Sequence, residues 1–262
     1  MSRDPIDTYN EAYCYYTASD GYPLNCRKAV ELFREAAELG VSHAMNYLGI
    51  VYEAGEYVPQ DLQAAASWYY KAYQADDCNL HAKYNLGRIF FHGIGVEKDL
   101  EKAELLFAKV VAAGAENDTY IYEESCNFLG CILYQRNDHP RAYPYFVKAA
   151  KYGDIAEAWY TLGWYLDQSF RPSNYHDPDE KIVTSASDCY SRSAKQGYAP
   201  GMHMFGVKLL RANQVEAGKQ WITKAANQGY QPAQKTLRTL NIGQDGLSGL
   251  SKGLLKKFLD NF

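Results

Sequence analysis

The sequence has no run of 18 apolar residues, so no transmembrane helix is expected. It also lacks an apolar leader: Met1-Ser2-Arg3-Asp4-Pro5 is polar, and the chain as given carries no secretory signal. There is no excess of positive charge. Lys and Arg number 27 against 31 Asp and Glu, a net charge of −4, which argues against a dedicated nucleic-acid binder. G-x-S-x-G, a P-loop, H-E-x-x-H and paired C-x-x-C motifs are all missing, so the sequence offers no specific catalytic set and implies no cofactor or metal. The six cysteines, Cys14, Cys26, Cys78, Cys126, Cys131 and Cys189, are irregularly spaced. Without a leader they read as reduced thiols in a cytoplasmic protein. Cys78 and His81 could start a metal site, but no second pair with matching spacing completes it. The cluster His176-Asp177-Pro178-Asp179-Glu180 lacks a calcium-loop pattern and reads as a solvated loop.

What the sequence has in excess is rings, with 24 Tyr, 10 Phe and 4 Trp in 262 residues, and a phrase that recurs. Residues 44–52 read AMNYLGIVY, 82–90 AKYNLGRIF, 125–133 SCNFLGCIL, 158–166 AWYTLGWYL and 201–209 GMHMFGVKL. A small residue, a large one four later, then Gly, then a bulky residue fall on one helical face. A second phrase follows: residues 28–40 read KAVELFREAAELG, 64–75 AAASWYYKAYQA, 102–114 KAELLFAKVVAAG, 141–153 RAYPYFVKAAKYG, 185–197 SASDCYSRSAKQG and 217–229 AGKQWITKAANQG. The terminal Gly is a C-cap signal, and Asp61, Asp99 and Asp138 suit N-caps. A Gly in the middle of a helix costs about 1 kcal/mol against Ala. Gly49, Gly87, Gly130, Gly163 and Gly206 therefore predict close helix–helix approach. Each unit is an antiparallel helix pair, and the pairs stack.

Leu48-Gly49 and Leu86-Gly87 are 38 residues apart. Residues 82–114 carry Ala82, Leu86, Gly87, Gly93, Gly95, Val96, Asp99, Lys102, Ala103, Phe107, Lys109 and Gly114; residues 44–72 carry Ala44, Leu48, Gly49, Tyr52, Gly55, Val58, Asp61, Ala65, Trp68, Tyr69, Lys71 and Ala72. This pattern resembles the Sel1-like repeat, a longer relative of the tetratricopeptide repeat. The resemblance spans about residues 7–240. It implies an all-α, right-handed superhelical solenoid of about six Sel1-like or tetratricopeptide-like helix pairs with a C-terminal capping helix region. Repeats 4 and 6 lack the G-x-G-V turn and connect tightly at Gln135–Asp138 and Ala212–Val215. The first helix of repeat 1, around Asp7–Thr17, is weak, and Pro232–Leu240 reads as the first helix of an incomplete seventh unit. The division expected is a solenoid over 1–240 and an amphipathic tail over 241–262.

By analogy with tetratricopeptide geometry, the first helices line a concave wall. The residues expected there are His43, Asn46 and Glu53; His81, Tyr84, Arg88, Phe91 and His92; Asn127, Tyr134 and Gln135; Tyr160, Trp164 and Asp167; and His203, Val207 and Arg211. Of these, Asn46, His81, Tyr84, Arg88, Phe91, Asn127, Tyr134, Tyr160, Trp164, His203 and Arg211 are the candidate contacts for a partner protein or extended peptide. The alternative is that several of the rings only pack between repeats. Two insertions, Ala115–Glu124 and Gln168–Val183, read as tolerated surface loops, the alternative being that they carry binding specificity. In the tail, Leu247, Leu250, Leu254, Leu255, Phe258, Leu259 and Phe262 oppose Lys252, Lys256, Lys257 and Asp260. That segment is expected to cap the last repeat around Trp221 and Leu237, the alternatives being partner docking or contact with a membrane surface. The function that follows is a non-enzymatic scaffold or adaptor of bacterial type. An immunity or inhibitor protein directed at one effector enzyme is the alternative.

Overall fold

A computed structural model describes residues 3–55, 57–172, 183 and 185–245, the last five by backbone alone. Among them are thirteen α-helices and no strand. The chain divides into two compact units, Met1–Ile132 and Leu133–Phe262. The first contains α1 (Pro5–Thr17), α2 (Cys26–Glu38), α3 (Ser42–Ala54), α4 (Leu62–Ala75), α5 (Leu80–His92), α6 (Leu100–Ala112) and most of α7 (Thr119–Gln135). The second holds α8 (His139–Gly153), α9 (Ala156–Asp167), α10 (Ala186–Lys195), α11 (Ala199–Arg211), α12 (Val215–Asn227) and α13 (Gln231–Asp245). Every recurring phrase maps onto one helix, in the order expected, the second phrases running up to two residues past the helix end. In the first unit α1/α2, α3/α4 and α5/α6 are tight pairs, and α2 packs on α3 and α4 on α5. The second unit repeats this with α9/α10 and α11/α12, joined through α10 to α11 and α12 to α13.

The caps are those the sequence indicated. The Asp61 carboxylate accepts from the backbone of Gln63 and Ala64, Asp99 from Glu101 and Lys102, and Asp138 from Arg141. Gly40, Gly114, Gly197 and Gly229 take positive φ just past their helices. Gly153 does not. It stays helical, and Asp154 takes the left-handed position with φ 48° instead, an Asp being one of the few residues with a side chain that tolerate it. The two tight turns use Asn in the same way, at Asn137 (φ 59°) and Asn213 (φ 63°).

Gly49, Gly87 and Gly163 each admit a ring from the paired helix, and Gly206 admits Ile222. A Cβ on Gly49 would sit 2.5 Å from Tyr69 Cε1, and one on Gly163 would sit 2.8 Å from Tyr190 Cε1. Tyr69 and Tyr190 are both wholly buried, as are Ala44, Leu48, Ala82, Phe107 and Leu162. Each fully buried Leu or Phe contributes about 1.5–3 kcal/mol, more than the cost of the glycine. Between neighbouring pairs, rings at equivalent places stack: Phe33 on Tyr47 at 5.0 Å, and Phe107 on Phe128 at 4.7 Å.

Two boundaries differ from the sequence expectation. The Ala115–Glu124 insertion is not all loop, because α7 starts at Thr119 and buries Ile121, Tyr122 and Glu123. The last helix runs past Leu240 to Asp245. Most of the Gln168–Val183 insertion, the His176–Glu180 cluster and the amphipathic tail lie outside the described residues, so the capping contact expected near Trp221 and Leu237 does too. No helix among the described residues is long and apolar enough to cross a membrane. No disulfide joins the six cysteines.

Candidate partner-binding faces

In the first unit the outward side chains of α1, α3, α5 and α7 belong to three clusters. At the start, Tyr9, Tyr13 and Tyr16 of α1 surround Tyr47 of α3, at centroid distances of 6.1, 5.6 and 5.7 Å. Tyr57 closes on Tyr16 at 6.4 Å. Tyr13 is 39% and Tyr57 46% exposed, so the cluster opens to solvent. Sequence reasoning missed it because the first repeat lacks the Leu-Gly phrase. The tyrosines at i, i+4 and i+7 of α1 were the available signal.

The second cluster is electrostatic. Arg88 donates to Glu53 through both terminal nitrogens, at 2.7 and 2.5 Å, and the Tyr69 hydroxyl donates to the same carboxylate at 2.9 Å. Burial pushes Glu53 up, but the Arg88 hydrogen bonds and charge, with Tyr69, hold its carboxyl below the usual range. Next to it, Asn85 donates to Asn46, which is only 4% exposed, and Asn79 donates to Ser42. Asn46 and Arg88, both expected to meet a partner, are engaged inside the stack.

The third cluster combines rings and acids. Tyr84 of α5 meets Tyr120 and Phe128 of α7, each at 6.4 Å, and Phe91 meets Phe128 at 4.9 Å. Tyr84 is 9% exposed while Tyr120 is 64% exposed. The His81 ring lies 3.0 Å from Asp118, which also caps α7 by accepting from Ile121. Asn127 is 4% exposed. Tyr120 was passed over because the insertion read as loop.

In the second unit Tyr134 lies edge-on to Trp164 at 5.6 Å and to His139 at 5.2 Å. All three are partly exposed. The His139 Nδ1 is 3.1 Å from the Tyr165 hydroxyl, and Phe170 packs against Tyr165 at 5.0 Å. Tyr160 sits between Tyr190 and Tyr198, its hydroxyl pushed up to about 12 by burial and then by Tyr230 and Tyr134. Asp167 accepts from the Tyr190 hydroxyl at 3.0 Å and from Lys208. His203 is 2% exposed and bonds Thr236 at 2.9 Å; burial pushes its imidazole down to about 4. Arg211 is exposed in the last turn of α11. The structure thus groups Tyr84, Phe91 and His81 on one face and Tyr134, Trp164 and Tyr160 on another, and buries Asn46, Asn127 and His203. Among the described residues no group of three or more His, Cys, Asp or Glu could hold a metal ion.

Comparisons with known proteins fit this repeat-by-repeat geometry. Chitin synthase regulatory factor 3 of Schizosaccharomyces pombe (strain 972 / ATCC 24843) is 25% identical over 247 residues, which is 89% of this chain and 25% of that protein. The chain therefore spans about a quarter of the curated relative it matches. A protective antigen of uropathogenic Escherichia coli displaying an SLR fold, c5321, superimposes with a TM-score of 0.67 at 21% identity, over 95% of this chain and 50% of that one. A Sel1 repeat protein from Oxalobacter formigenes gives 0.63 at 23% identity, over 85% of each chain. The Sel1 repeat model matches residues 9–41, 42–77, 80–114 and 198–230, which are the pairs α1/α2, α3/α4, α5/α6 and α11/α12. Those segments make up just over half of the sequence, and the chain belongs to the Sel1 repeat family.

Proposed function

We propose that this protein is a non-enzymatic scaffold or adaptor that holds a partner protein or an extended peptide against the first-helix faces of its repeats. Family membership supports the coarse reading, since Sel1 repeats are interaction modules. The observation that carries it to a site is the open aromatic group Tyr134, His139 and Trp164, where rings from α7, α8 and α9 meet while remaining partly exposed. Such rings bury area at low entropic cost and are typical anchors for a partner. The sequence carries no specific catalytic motif that would compete with this reading.

The test is capture. A photo-crosslinking residue placed at position 164, used in native lysate and followed by mass spectrometry, should trap a protein, and a probe at the exposed Tyr152 of α8 should not. Several partners in modest yield would fit an adaptor, and one tight stoichiometric partner would make the protein an inhibitor. Equal labelling from positions 164 and 152 would refute the site.

A further inference from the structure

We propose that the second unit selects an acidic partner, an extended segment in which Asp or Glu residues flank an apolar side chain that seats against Trp164. This rests on the scaffold reading above and names the chemistry of the segment held there.

The net charge of −4 is the sum of two unlike halves. Residues 1–132 carry 10 Lys and Arg against 20 Asp and Glu, whereas residues 133–262 carry 17 against 11. The first unit therefore stands at −10 and the second at +6. Charges more than about 8 Å apart are largely screened at physiological salt, so a partner meets the charge of the unit it approaches rather than that of the chain. Each carboxylate neutralises at most one base. However the side chains of the second unit pair with one another, six cations are left over.

The acids at the ends of α8 and α9 are already engaged. Asp138 caps α8 and pairs with Arg141, Asp154 accepts from the Trp159 indole, and Asp167 accepts from Tyr190 and Lys208. Further along, Lys195 of α10 and Lys235 and Arg238 of α13 are exposed, and none of the three makes an ion pair among the described residues. The ring group adds donors. Neither the Trp164 indole N–H nor the Tyr134 hydroxyl has an acceptor among the described residues. An acidic extended segment is rich in what these groups take, carboxylates and backbone carbonyls. The rings supply an anchor, and the surplus cations supply selectivity and encounter rate. The first unit, with its excess of acids, repels the same segment.

Fluorescence anisotropy on the full chain tests this with two labelled peptides. Both have a central Leu in Gly-Ser spacing; one carries Glu at the flanking positions and the other Gln. The Glu peptide should bind at least about tenfold more tightly, and rising salt should weaken it. Trp164→Ala should weaken it about tenfold, and Lys235→Gln combined with Arg238→Gln about fivefold. Arg27→Gln combined with Lys28→Gln, on exposed positions of α2, removes the same charge from the first unit and should bind as wild type. Circular dichroism checks that each variant is folded. The proposal fails if the two peptides bind alike, if neither binds, if Trp164→Ala or the α13 pair binds as wild type, or if the α2 pair weakens binding equally. It also fails if a thymidine oligonucleotide of equal charge displaces the Glu peptide at equal concentration, because the unit would then read charge without the anchor. A segment trapped through position 164 that carries no acidic excess would overturn this proposal and leave the scaffold reading standing.

Discussion

Arg88 of α5 holds Glu53 of α3 in a two-point contact, and Tyr69 of α4 completes it from the side. The second unit has the same device. Asp167 stands nine residues after Ala158, as Glu53 stands nine after Ala44, and it accepts from Tyr190 and Lys208. In both places an acid at the end of a first helix is tied to the tyrosine of its paired helix and to a base on a later first helix. Three helices are thereby fixed in register by one carboxylate. The tyrosine that fills the space over Gly49 or Gly163 is also the one that donates to this acid, so packing and electrostatics converge on one side chain.

Replacing Glu53 should make this contribution measurable. Glu53→Gln keeps the shape but removes the charge, and at neutral pH it should cost about 1–2 kcal/mol, given a partly buried charge-assisted pair. The Glu53 carboxyl is lower in the folded state than in the unfolded chain. Its contribution is therefore complete above the unfolded value of about 4.3 and disappears as pH falls through the folded one. Urea titrations should show the wild type and the variant converging below about pH 4. A constant gap across that range would mean that the loss is steric.

His203 titrates with a different consequence. Its buried imidazole is held down to about 4, so the folded protein keeps it neutral while the unfolded chain protonates it near 6.5. Stability from this group is complete above about pH 6.5 and falls as pH drops toward 4, by at most about 3 kcal/mol. His203→Asn should lower stability at neutral pH, because a packed ring against Tyr230 and a bond to Thr236 are lost. It should also flatten the melting temperature between pH 7 and 5 relative to wild type. An equally steep pH profile in the variant would place the proton uptake elsewhere.

Gly49→Ala sets two effects against each other. Alanine gains about 1 kcal/mol in helix propensity. Its methyl would lie 2.5 Å from the Tyr69 ring, which is wholly buried and anchored by Glu53. Overpacking typically costs 1–3 kcal/mol, and a tethered ring has little freedom to yield, so the net change should be destabilising by about 1 kcal/mol or more. Adding Tyr69→Leu should recover part of the loss caused by Gly49→Ala. A stabilised single variant in chemical denaturation would contradict the close approach.

The helices were legible because their signals are local. Small residue, Leu and Gly at fixed spacing set one face, and Asp61, Asp99 and Asp138 set the starts. The faces were only half legible, because exposure depends on the neighbouring repeat. Asn46 and Tyr84 occupy the same place in their repeats, yet one is paired with Asn85 and the other packs on Tyr120 and Phe128. Nothing within a single repeat tells these apart. His139 was missed for a related reason: it begins a second helix, and only the fold brings it beside Trp164 and Tyr165. Tyr120 was hidden by reading a helical turn as loop.

Two tryptophans on α9 allow the proposed recognition role to be tested apart from stability. Trp159 is 1% exposed, donates to Asp154 at 2.6 Å and lies under Arg192 at 4.7 Å. Trp159→Ala should therefore cost about 3–5 kcal/mol of folding stability, as large core truncations do. Trp164 is partly exposed and touches Tyr134 edge-on and His139 at a tilt, so truncating it leaves the pair core intact. Trp164→Ala should change the melting temperature little while weakening a captured partner by about 2 kcal/mol, the range of an interface anchor. Isothermal titration of the partner, with unfolding followed by circular dichroism, reads both quantities on the same sample. The assignment of Trp164 would be overturned by unchanged affinity in a folded variant. It would equally be overturned if Trp164→Ala cost as much stability as Trp159→Ala, because the ring would then belong to the core rather than to the surface that meets a partner.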